Sequence, residues 1–121
     1  MRLSVMLAIA LLILLAIPMR AQSDTPIMNT VEPLSGGVGD VFAVTGENLD
    51  DVHVAAVYLT DGKNDVRTII QEQTATNIKF KVPPEAKPGR FALMVLTKGK
   101  AARYIEEPVK VTIEGAGKPG D

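Results

Sequence analysis

Beyond its first two dozen residues the chain is a succession of short runs in which apolar and polar side chains alternate. These runs are cut at close intervals by Gly, Pro, Asn and Asp. No apolar period of 3.6 residues is sustained anywhere in this stretch. Such a rhythm favours sheets, because residues two apart share one face of a strand and do not share a face of a helix. In segment 76–82, Ile78, Phe80 and Val82 fall on one side and Lys79 and Lys81 on the other. Near the end, Val109, Val111 and Ile113 alternate with Lys110 and Thr112, and earlier Phe42 and Val44 alternate with Val41, Ala43 and Thr45. Seven strands are expected, over 26–31, 40–45, 52–60, 66–71, 76–82, 91–97 and 102–113. Asp61-Gly62 carries a hairpin signal between the third and fourth. Pro83-Pro84 stops the fifth, and Pro108 marks a bulge or an edge in the last, since proline cannot donate to a ladder. Short strands at this spacing in one small domain predict an all-β sandwich of two sheets.

The first residues have a different character. Arg2 precedes an apolar run from Leu3 to Ile17, Pro18 breaks it, and Ala21-Gln22-Ser23 places small residues around a cleavage position. The run is short for a membrane span. Residues 1–23 are expected to be a signal peptide, 24–114 the domain and 115–121 a Gly/Pro-rich flexible tail, giving a secreted or periplasmic protein. A retained N-terminal anchor is the alternative reading, and the only one that involves a membrane.

The full chain has a formal net charge of −1. Without Arg2 and Arg20 it moves to about −3, opposite to the basic footprint of a nucleic-acid binder. There is no Cys, which removes thiol catalysis, thiolate metal sites and disulfides. His53 is the sole histidine, so one chain cannot supply a His-rich metal site. It is expected at a strand start, partly exposed. Ser35 sits in Leu-Ser-Gly-Gly, a turn context without a nucleophile-elbow pattern. Gly36-Gly37-Val38-Gly39 lacks both the Lys-Ser/Thr and the helix that a phosphate loop requires. The acid-containing loops at 47–51 and 61–65 fit no Ca²⁺-loop template. No cofactor, metal site or catalytic residue is expected, and the protein is not read as an enzyme.

Several of these pieces, taken in order, resemble the IPT/TIG domain family. They are Pro26-Ile27, Val31, Pro33, Ser35-Gly36, Gly39-Asp40 and then Phe42-x-Val44-x-Gly46-x-Asn48-Leu49. The likeness continues through Val57, Thr74-x-Thr76-x-Ile78-x-Phe80-x-Val82-Pro83, and Pro88-Gly89 ahead of Phe91-x-Leu93-x-Val95. Tyr58-Leu59-Thr60-Asp61 departs from it where the family places an aromatic residue followed by Gly. The resemblance implies an immunoglobulin-like fold with a structural or binding role, and carries over no active-site residue. Locally, Gly46 is expected to end a strand at a sharp turn, and Asn48 is a residue that can tolerate a left-handed conformation and bond its own backbone.

Parity then predicts one unusual surface. In such a sandwich the third, sixth and seventh expected strands share a sheet. If Val57, Leu59, Phe91, Leu93 and Val95 face the core, then Ala56, Tyr58, Ala92, Met94 and Leu96 face outward together. The opposite sheet turns Ala43, Thr45, Lys79 and Lys81 to solvent. Contiguous apolar surface on a small domain marks a contact site. Alternatively, segment 63–73, with Ile69 and Ile70, folds over this face and buries it. The expected function is a non-catalytic exported module making protein–protein contacts or self-associating at the cell envelope through Tyr58, Met94, Leu96, Ala56 and Ala92. The alternative is a carbohydrate-binding accessory domain. With no Trp and only Tyr58 and Tyr104, glycan stacking would depend on those two rings standing exposed together.

Overall fold

The computed structural model describes residues 24–115. The expected signal peptide and residues 116–121 of the expected tail lie outside the described residues. Among the described residues nine strands form two sheets. In chain order they are β1 (Ile27–Glu32), β2 (Ser35–Gly36), β3 (Val41–Glu47), β4 (Val54–Thr60), β5 (Asp65–Arg67), β6 (Ile69–Gln73), β7 (Asn77–Lys81), β8 (Gly89–Thr97) and β9 (Tyr104–Ile113). One sheet has the order β1-β3-β7-β6 and the other β2-β9-β8-β4-β5. Every pairing is antiparallel except the short parallel match of β2 to β9. The strands expected to share a sheet, now β4, β8 and β9, do so.

The core fills the space between the sheets from their alternating positions. Phe42 of β3 pairs directly with Phe80 of β7, and their rings stack 5.6 Å apart at an interplanar angle of 8°. Both are fully buried with Val44, Ile78, Leu59, Leu93 and Val95. Leu49, in the turn after β3, is as deeply buried and plugs one end of the core.

Local irregularities set which residues point inward. Asn29 is an extra residue in β1, because Met28 and Thr30 pair with the consecutive residues Gly46 and Thr45. This puts Met28 and Val31, three apart, into the same core. Ala55 plays the same part in β4, bringing Val54 and Val57 inward. In β9 the irregularity is larger. Residues Ala92 and Met94 of β8 face Lys110 and Glu106, so two additional residues of β9 arch out around Pro108.

Two expectations are corrected. Segment 66–71 is not one strand: β5 extends the five-stranded sheet for three residues, and β6 joins the edge of the other sheet. The change occurs at buried Thr68, whose backbone N–H (2.9 Å) and hydroxyl (2.8 Å) both donate to the Val57 carbonyl. Gly46 does not end β3 but lies within it. A Cβ there would come within 1.8 Å of the Ile27 carbonyl oxygen, so the close approach of β1 excludes any side chain. Asn48 does take the left-handed region, with φ 57°, and its side-chain amide donates to the Thr25 carbonyl at 3.1 Å.

Candidate functional site

The candidate site is the outer face of the five-stranded sheet. Its middle strand β8 presents Arg90, Ala92, Met94 and Leu96 outward, since Phe91, Leu93 and Val95 are turned to the core. Across from Met94 stand Tyr58 of β4 and Glu106 of β9; across from Leu96 stand Ala56 and Tyr104. Beyond Tyr58, β5 contributes Arg67. Tyr58, Met94 and Leu96 are each half-buried. Segment 63–73 does not cover them, because β5 lies at the sheet edge and β6 belongs to the opposite sheet.

Ala56 and Ala92 lie deeper than the other three residues of the expected surface. They are 1% and 7% exposed, yet both stand outside the apolar core cluster. Their outward methyl groups lie below the larger side chains around them and form the floor of the face. Parity identified the direction of these side chains, but depth depends on neighbours that parity does not weigh.

Tyr104 is the contributor that outward parity on β4 and β8 alone did not include. It is 58% exposed, and its ring meets that of Tyr58 edge to face, with 5.6 Å between centroids and 66° between planes. The two rings lean toward each other across β8. Edge-to-face contact sets the positive rim of one ring against the negative face of the other. Burial, and then the neighbouring Tyr104 hydroxyl, push the Tyr58 phenol above its ordinary range. The opposite sheet mixes polar pairs with exposed aliphatic side chains: Lys79 pairs with Glu72 at 3.2 Å and the hydroxyls of Thr30 and Thr45 meet across β1 and β3, while Ile27, Val41 and Ile69 are exposed.

The other residues considered for chemistry have structural partners. His53 is partly exposed, and its Nδ1 lies 2.6 Å from Asp50 Oδ1. That oxygen also accepts the backbone N–H groups of Val52 and His53, both at 3.2 Å. The His53 side chain, ahead of these backbone donors, holds the Asp50 carboxyl below its ordinary range. Ser35 is exposed in β2. Among the described residues no three His, Cys, Asp or Glu side chains are grouped to hold a metal ion.

Glu107 was not foreseen. The arch in β9 turns it between the sheets, where it is 4% exposed and its Oε1 accepts the Met28 backbone N–H at 2.8 Å. Its Oε2 has no hydrogen-bond partner among the described residues. Burial pushes this carboxyl above its ordinary range, against the opposing pull of the Met28 bond.

The sequence pattern of the IPT/TIG domain matches residues 26–113, nearly everything described. The chain belongs to the IPT/TIG family. No curated protein sequence matches this IPT/TIG chain significantly. Solved structures match it in fold at low identity. One is a protein of unknown function from Bacteroides thetaiotaomicron, with TM-score 0.63 and 17% identity, covering 78% of this chain and 22% of that one. Another is an auxiliary nutrient binding protein from Bacteroides ovatus, with TM-score 0.53 and 18% identity, covering 80% and 22%. A third is SGBP-B of a mixed-linkage glucan utilization locus of Bacteroides ovatus, in complex with a mixed-linkage heptasaccharide, with TM-score 0.53 and 16% identity, covering 76% and 23%. The IPT/TIG chain thus spans about a fifth of the length of these structures.

Proposed function

We propose that this IPT/TIG domain is an exported, non-catalytic binding module, secreted or periplasmic, that meets a partner protein through the outer face of its five-stranded sheet. The observation that supports the reading is the strip of half-buried Tyr58, Met94 and Leu96 with exposed Tyr104, which are neighbours within or across β4, β8 and β9 and are joined by the ring pair. An apolar centre with a charged rim of Arg67, Arg90, Glu106 and Lys110 has the anatomy of a protein contact surface. The export assignment rests on the expected leader over 1–23. Photo-crosslinking tests the reading: a benzophenone amino acid replaces Tyr104 in the exporting cell, and the same residue replaces Lys79 as a control on the opposite face. The expected result is a discrete adduct from position 104 that disappears with M94S/L96S. An adduct pattern no different from that of position 79 would refute it.

One observation favours a second reading. Tyr58 and Tyr104 stand together rather than apart, and an exposed ring pair can stack against a sugar. The nutrient-binding and glucan-binding names of two structures with this fold add support to it. Affinity electrophoresis in gels containing soluble glucans decides: retardation abolished by Y104A supports glycan binding, and unaltered mobility in every gel excludes it for those glucans.

A further inference from the structure

The charged residues of the outer face stand in a regular arrangement. Taken across the sheet from β9 to β5, one row reads Lys110, Ala92, Thr60, Asp65, and the next reads Glu106, Met94, Tyr58, Arg67. Cross-strand partners share a face, so all eight side chains point the same way. The first row therefore runs from base to acid and the second from acid to base. The four corner charges are exposed, and none forms an ion pair among the described residues. A third row, Tyr104, Leu96 and Ala56, carries no charge.

This arrangement is its own complement. In an isologous dimer one patch meets itself across a twofold axis. An axis between two facing sheets, along the strands and midway between β8 and β4, carries β9 of one copy over β5 of the other and β8 over β4. Glu106 of one copy then meets Arg67 of the other, and Lys110 meets Asp65, each contact occurring twice. Met94 falls against the Tyr58 ring, and Leu96 lies over Ala56, the low floor of the face. Arg90 on β8 and Asp61 past the end of β4 line one hollow, and the same rotation sets base over acid there. An axis across the strands would also pair the four corners, Lys110 with Glu106 and Asp65 with Arg67. It would lay Arg90 on Leu96 with no acid to meet it. The axis along the strands satisfies charge and size together, and two twisted sheets stack this way with about 30° between their mean strand directions.

Resting on the partner-protein reading above, we propose that the partner is a second copy of this chain: two copies pack β8 against β4, with Glu106–Arg67 and Lys110–Asp65 pairs closing the two sides. The patch is roughly 20 Å by 20 Å, from four strands about 4.8 Å apart and some six residues of about 3.3 Å each, which places the contact in the small, reversible class of interface. Exposed ion pairs of this kind fix register more than they add affinity.

The test is sedimentation equilibrium on the protein purified from the exporting cell. The expected result is a reversible dimer with a dissociation constant on the order of 100 μM. R67E and E106R change exposed side chains only; each alone turns two attractions into repulsions and weakens the dimer about tenfold. Mixed in equal amounts, these two variants recover the native affinity, because each new charge meets its opposite. R67E mixed with D65K does not recover, since both changes lie on β5. A native protein that stays monomeric at about ten times that constant, no recovery of R67E with E106R, or equal recovery of R67E with D65K would overturn the proposal. A monomeric native protein together with the crosslink that depends on Met94 and Leu96 would overturn the second copy and leave the partner face standing. Recovery of R67E with E106R, without any adduct from position 104 in cells, would support this dimer and remove the reading of a different partner protein.

Discussion

Tyr58 and Tyr104, on the two strands that flank β8, meet edge to face with their ring centroids 5.6 Å apart. They are the only tyrosines in the chain, so Y104F leaves one ionising phenol whose absorbance reports Tyr58 alone. Burial is the larger cause of the upward shift at Tyr58 and the Tyr104 hydroxyl the next. Alkaline titration of Y104F should therefore show Tyr58 ionising at lower pH than in the native protein, yet still above a free tyrosine. A double-mutant cycle with Y58L and Y104A should give a coupling of about 0.5–1.5 kcal/mol, the range for aromatic pairs.

Glu107 makes stability depend on pH in a direction that can be stated. Its folded pKa is raised, so the folded state holds the Glu107 proton more tightly than the unfolded state does. Stability contributed by the protonated acid is present at and below the ordinary carboxyl range, and is lost as pH rises through the raised value. Glutamine keeps an oxygen for the Met28 N–H without the charge. Urea unfolding of E107Q should thus show a flatter stability profile from mildly acidic to neutral pH, with neutral-pH stability at or above that of the native protein. An unchanged slope would contradict the assignment.

Gly46 and Gly62 should respond to alanine for different reasons. At Gly46 the new Cβ meets the Ile27 carbonyl oxygen and β1 must move, which should cost about 3 kcal/mol or more, the upper range for overpacking. At Gly62, φ is 90° and nothing lies within 4 Å, so only backbone strain of about 1–2 kcal/mol is expected. Thermal or urea unfolding ranks the two.

Thr68 ties the crossing between sheets with two bonds to one carbonyl. T68V keeps the backbone bond to Val57 and deletes the hydroxyl bond, and should cost about 1 kcal/mol. Faster amide exchange is expected at Arg67 and Ile69 before any other part of the sheets. Uniform acceleration across both sheets would mean that the crossing is not an independent anchor.

The sequence displayed the alternating strands clearly, because β7 and the second half of β9 keep strict parity. The hairpin at Asp61-Gly62 and the left-handed Asn48 were also readable, each from a residue type that suits its backbone. Bulges were harder. Asn29 and Ala55 shift parity within β1 and β4 without a compositional mark, since alternation simply resumes on the other side. Pro108 did announce an irregularity in β9, but not its extent or its turning of Glu107 inward. The switch at Thr68 is a matter of which carbonyl a threonine finds, and that depends on β4. For the candidate site, the outward direction of Tyr58, Met94 and Leu96 followed from parity. The depth of Ala56 and Ala92 and the meeting of Tyr104 with Tyr58 arise between strands far apart in the chain.

The described chain enters beside the β3–β4 turn, where Asn48 holds the Thr25 carbonyl. It leaves at the opposite end, where the Glu114 N–H bonds Gly36 and the Thr112 N–H bonds Leu34. A pull on these two points runs along the strands. The parallel match of β2 to β9 would then bear load in shear, its bonds strained together rather than peeled one after another. With nine residues in β8 at about 3.3 Å each, the folded unit spans roughly 30 Å along its strands. It would hold its lateral face, and the contact proposed there, at a fixed reach even under tension.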